Sequence, residues 1–140
     1  MKKIATVLAL GFSLAGCANA ASVKTQAMTE GTERAFDSSY EDVVRAVTDG
    51  LAQLKLTPSE QQDVPEGRMI LVARPPHGFS WGEVGRILVV RSESKPTQVR
   101  VVYEKRMALQ WAGSQSSFAR NLFAKMDAVL GKPSPDKAKP

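Results

Sequence analysis

Apolar side chains return at helical spacing in two separated stretches of this sequence, and between those stretches the spacing changes to that of strands. Tyr40, Val43, Val44, Val47, Leu51 and Leu54 fall on one face of a helix. Phe118, Leu122, Met126, Val129 and Leu130 repeat the pattern near the other end. Between them, GRMILVARPP is a short apolar run closed by two prolines, and VGRILVVRSESKPTQVRVVYEKRMAL reads as two strands with a turn around residues 94–97. Val99, Val101 and Tyr103 alternate with Arg100, Val102 and Glu104, so at least this strand has a core face and a more polar one. Two helices with apolar stripes need a surface to bury them against, and strands joined by short links supply it. The expected fold is α+β: an antiparallel sheet of three to four strands with two helices packed on one face.

Local signals bound these elements. Ser38 and Glu41 stand as Ser-x-x-Glu, which predicts the start of the first helix. Gly50 weakens the interior of that helix by about 1 kcal/mol relative to alanine, and Pro58 prevents its continuation. Gly131 and Pro133 stop the second helix. The folded domain is expected over residues 35–130. Residues 17–34 are small and polar with no sustained apolar period, which predicts a flexible tether, and 131–140 read as a disordered, basic, proline-rich tail.

The first residues carry an address. Lys2 and Lys3 precede an uncharged, mostly apolar run from Ile4 to Leu14, followed by Ala15 and Gly16. That is a secretory signal over residues 1–16, its apolar run well short of the roughly 20 residues that span a bilayer. Cys17 is the single cysteine. Leu14-Ala15-Gly16-Cys17 resembles the bacterial lipobox, and the resemblance implies a diacylglycerol thioether on Cys17, cleavage before it and an N-acyl chain such as palmitate on the new amino terminus. Each buried CH₂ of such chains contributes about 0.8 kcal/mol to membrane attachment. The alternative is ordinary cleavage after Ala18-Asn19-Ala20, an A-x-A-like site that would release an unanchored protein. By the sorting rule of Gram-negative lipoproteins, Ala18 in place of aspartate implies the outer membrane, with the domain facing the periplasm.

Removal of the signal leaves about 124 residues, enough for one small domain. The precursor's formal charge of +5 loses the two signal lysines and no acid, leaving about +3 spread along the chain rather than gathered in a stripe. This balance gives no support to a nucleic-acid partner. With its one cysteine committed to lipid the chain has no intramolecular disulfide, so the domain must rest on its apolar core.

The pattern F…SSYEDVVRAVTDGLAQLKL…EGRMILVA, a strand residue, a capped helix and then a strand after a glycine turn, is similar to the helix-grip domains of small envelope lipoproteins of the barrel-assembly C component type. Architecture alone assigns no function.

Few residues carry chemistry. GFSWG, residues 78–82, matches G-x-S-x-G, but a nucleophilic Ser80 needs a strand-to-helix turn and a later histidine, whereas the following segment reads as strand and the one histidine, His77, precedes the motif. No acid, histidine or cysteine spacing fits a metal site, and no cofactor is expected beyond the covalent acyl groups on Cys17. Phe79 and Trp81 alternate between glycines, and Trp111 lies in the link LQWAGS. Loop aromatics of this kind either close a small core or anchor a partner. Arg100, Lys105 and Arg106 read as a solvated sheet face or, less simply, an anion site. The candidate partner-binding set is therefore His77, Phe79, Trp81, Trp111, Arg100 and Arg106. The expected function is that of a non-enzymatic, membrane-anchored accessory or scaffold that binds an envelope protein in outer-membrane or secretion-complex assembly; the alternative is a carrier or sensor of a lipid or other amphipathic ligand. The sequence leaves the oligomeric state open.

Overall fold

A computed structural model describes residues 20–76, 82–106 and 115–131. The first element is a short helix, α1 (Ala20–Thr25), followed by strand β1 (Thr32–Phe36) and helix α2 (Tyr40–Gln53). Four strands come next, β2 (Pro58–Val64), β3 (Gly67–Arg74), β4 (Glu83–Val90) and β5 (Thr97–Lys105), and then helix α3 (Gln115–Val129). The fold is α+β with one five-stranded sheet in the order β1-β5-β4-β3-β2, every pair antiparallel. Strands β2 to β5 form a meander, while β1 lies at the far edge beside β5, so α2 carries the chain from one edge of the sheet to the other.

The spacing of α2 and α3 is obeyed. Val43, Val47 and Leu51 of α2, and Leu122 and Met126 of α3, are fully buried against Ile70, Val72, Ile87, Val89, Val99 and Val101 of the sheet. Phe36 meets Phe123 edge-on at 5.7 Å, and the Tyr103 ring stacks on Phe118 at 4.0 Å. Gly50 has a positive use: a Cβ there would lie 3.2 Å from Leu122 Cδ1, so the glycine sets how closely α3 approaches α2. The N-cap falls one residue later than the sequence signal suggests. Ser39 Oγ accepts the Asp42 N–H at 3.3 Å and donates to the Asp42 carboxylate at 2.7 Å. Ser38 is committed elsewhere, its N–H donating to Phe36 O and its carbonyl accepting from Thr97 Oγ1 at 2.9 Å.

Three expectations are corrected. The sheet has five strands rather than three to four, because β1 and β2 are short or polar edges with little apolar signal of their own. Residues 20–34, expected as part of a tether over 17–34, are instead folded: α1, a crossing segment and the start of β1 belong to the domain, which therefore begins well before residue 35. The face of the sheet away from α2 and α3 is covered rather than solvated. Val23 of α1 is fully buried against Met69, Leu71, Val84, Leu88 and Val102, with Met28 packed beside it. Residues 1–19, with the signal and Cys17, lie outside the described residues, as do 132–140 of the tail.

Candidate functional site

The register places Arg74 of β3, Glu83 of β4 and Lys105 of β5 side by side across three strands, all at the end of the sheet where α3 begins. Period-two alternation turns Glu83 to the same face as Ile87 and Val89, so a carboxylate enters the interior at the margin of the apolar core. Glu83 is 2 % exposed. Its Oε2 accepts a hydrogen bond from the Tyr103 hydroxyl at 2.8 Å, and Arg74 Nη1 lies 3.6 Å from the same oxygen. Gly85 makes this possible, since a Cβ there would stand 2.7 Å from Tyr103 Cδ2 and displace the ring. Burial pushes the Tyr103 phenol well above its usual range; the hydrogen bond to Glu83 and the carboxylate's charge add to the effect, and Arg74 offsets part of it. Tyr103 is therefore a neutral donor at any physiological pH.

A cavity of about 170 Å³ opens beside this group. It is lined by Ser117, Phe118 and Asn121 of α3, by Leu54, and by Arg74, Glu83 and Tyr103 of the sheet. That volume is below the roughly 300–1,000 Å³ of pockets for drug-sized ligands. It accommodates a side chain or a few waters, not an acyl chain.

Of the residues proposed from sequence, His77, Phe79, Trp81 and Trp111 lie outside the described residues, as do Cys17 and Ser80. Arg100 and Arg106 are described, and they are not brought together with the cavity. Arg100 projects from the face covered by α1, where its Nε donates to the Glu33 carboxylate and its Nη atoms reach Met28 O and Gln98 Oε1, each at 3.3 Å. These contacts stitch the crossing segment and β1 to β5. Arg106 follows β5, its backbone N–H donating to Gly82 O at 3.0 Å, and its Nε is buried without a hydrogen-bond partner among the described residues.

Buried charged groups were missed in reading the sequence. Besides Glu83, Arg86 points to the face covered by α1 and is 1 % exposed. It donates from Nη1 to Gln26 O and from Nη2 to Ala27 O, the latter at 2.8 Å, and so holds the segment after α1 by its carbonyls. Burial lowers the Arg86 pKa from its ordinary value, with Glu30 acting in the opposite sense. The alternation Glu83, Gly85, Ile87, Val89 was the available signal for the buried carboxylate; for Arg86 the signal was its place within RILVV, whose apolar residues leave neither face polar.

Among the described residues no group of three histidines, cysteines or acids could hold a metal ion, and no helix is long and apolar enough to cross a membrane. No family model matches the chain, and comparison with curated proteins finds no match.

Proposed function

We propose that this protein is an envelope lipoprotein anchored through acyl chains on Cys17, and that its domain is a non-enzymatic binding module, an accessory or scaffold in outer-membrane or secretion-complex assembly. In a Gram-negative source the domain faces the periplasm from the outer membrane. The sequence resemblance to the helix-grip domains of such lipoproteins, carried by the capped helix and the strand that follows it, supports this reading. The observation that favours a module over a lipid carrier is the filled interior: Leu51, Ile70, Ile87, Leu122 and Met126 are all 0 % exposed, and the cavity at its margin is about 170 Å³. A carrier must keep a volume open for its ligand, and among the described residues the interior is filled by its own side chains.

Contact with the protein partner is assigned to the sequence stretch with His77, Phe79 and Trp81 and to that with Trp111, because aromatic side chains supply large contact area at modest entropic cost. Arg100 is tied into the fold by its own hydrogen bonds and contributes through stability. The test is Trp81→Ala, with denaturant unfolding and in-cell crosslinking measured on the same variant. Weakened capture at unchanged stability supports the assignment. A stability loss of about 3–5 kcal/mol makes Trp81 a core residue instead.

A further inference from the structure

The length of chain between Cys17 and the first folded element decides how the domain sits on its membrane. Only Ala18 and Asn19 stand between Cys17 and Ala20, where α1 begins. Three Cα steps span at most about 11 Å even when fully extended. Three residues further, Val23 is buried over Met69 and Leu71 of β3, Val84 and Leu88 of β4 and Val102 of β5, near the middle of the sheet. The rise from Ala20 to Val23 is only about 4.5 Å. The anchoring residue is therefore confined to the side of the molecule that α1 covers. The solvent side of α2 and α3 lies across α1, the sheet and a second helical layer, a depth of more than about 20 Å given helix diameters of 10–12 Å.

We infer that the domain lies flush against the bilayer, with the α1 side of the sheet turned to the lipid headgroups and the α2 and α3 side turned away from them. This rests on the acylation of Cys17 proposed above. A partner binding at the outward side must reach down to the membrane surface, since the domain has no slack with which to reach up.

The lipid-facing side suits contact with headgroups of either charge. Three of its described cations are engaged: Lys24 pairs with Glu60 at 2.5 Å, Arg100 with Glu33, and Arg86 is buried against carbonyls. The exposed residues of α1 are the small or uncharged Ala20, Ala21 and Thr25. Orientation then follows from the short connection and not from attraction to anionic lipid, and it should hold in zwitterionic vesicles.

The test uses the full-length protein extracted from bacterial membranes and reconstituted in phosphatidylcholine vesicles that carry a headgroup nitroxide quencher. Fluorophores are attached through Ala21→Cys on α1 or Ala52→Cys on the exposed side of α2, with acylation of Cys17 verified by mass in each sample. Severalfold stronger quenching at position 21 than at 52, abolished by a flexible glycine-serine spacer inserted between Ala18 and Asn19, is the expected result. Equal quenching at the two positions in acylated protein overturns the orientation while leaving the anchor intact. A difference that survives the spacer overturns the short connection as its cause. Unacylated Cys17 overturns the anchor, and the orientation falls with it.

Discussion

At position 83 a carboxylate is sealed beneath α3, and the hydroxyl of Tyr103 is the group that makes its burial tolerable. Taking a charge out of water costs several kcal/mol unless hydrogen bonds and opposite charge replace the solvent, and here Tyr103 at 2.8 Å and Arg74 at 3.6 Å do so. Tyr103→Phe keeps the ring stacked on Phe118 but removes the donor, and should cost about 1–3 kcal/mol. The same variant tests the titration. A folded-state pKa raised above the unfolded value of about 10 means that stability is complete below pH 10 and falls as pH rises beyond it, because the unfolded phenol releases its proton first. Tyr40, raised mainly by burial, works in the same direction. Denaturant unfolding across the alkaline range should show a shallower decline for Tyr103→Phe than for the native chain; parallel declines would mean that Tyr103 does not report on folding. Backbone space is equally specific at Gly67, where the chain turns from β2 into β3 with φ 151°. A Cβ there would fall 1.9 Å from Val89 O and 2.8 Å from Arg91 N, both backbone atoms, so Gly67→Ala should destabilise by about 3 kcal/mol or more in the same unfolding measurement.

Among the elements, β1 is the least conspicuous in the sequence, and besides its pairing with β5 it is tied to α3 by a buried ionic contact. Arg34 Nη2 donates to Asp127 Oδ1 at 3.0 Å and stands 2.8 Å from Oδ2, and its guanidinium lies over the rings of Phe36 and Phe123 at 5.0 and 5.8 Å. The Asp127 side chain is 2 % exposed, so Arg34→Ala leaves a buried carboxylate without its partner and should cost about 3–5 kcal/mol. A double-mutant cycle with Asp127→Asn checks this, since the penalty should shrink when the charge is already gone. The reasons β1, β2 and α1 were not legible differ. β1 offers five residues, TERAF, of which only Phe36 is buried. β2, PSEQQDV, is an edge whose Glu60, Gln61 and Asp63 are exposed and whose register shifts between Pro58 and Glu60, so it shows neither apolar alternation nor an unbroken ladder. α1 spans six residues with one buried side chain, Val23, and a period cannot be read from a single point. α2 and α3 were legible because each repeats its stripe over three to four turns.

For the molecule as a whole, the difference between a tethered domain and a seated one turns on the second face of the sheet. The apolar runs RMILVA and RILVV carry no alternation, which is the signature of strands covered on both sides, and α1 with the segment behind it supplies the second cover. The candidate site was less legible than the fold, because Arg74, Glu83 and Tyr103 become neighbours only through strand register, which spacing along the chain does not encode. The sheet is thus packed on one side by α2 and α3 and strapped on the other by residues that begin three positions after Cys17, the residue proposed to hold the protein at its membrane through lipid. Intact mass of the protein extracted from bacterial membranes tests this anchoring directly. The expected mass is that of a chain beginning at Cys17 and carrying diacylglycerol and one further acyl group; a chain beginning after Ala20, or one with an unmodified Cys17, would contradict it.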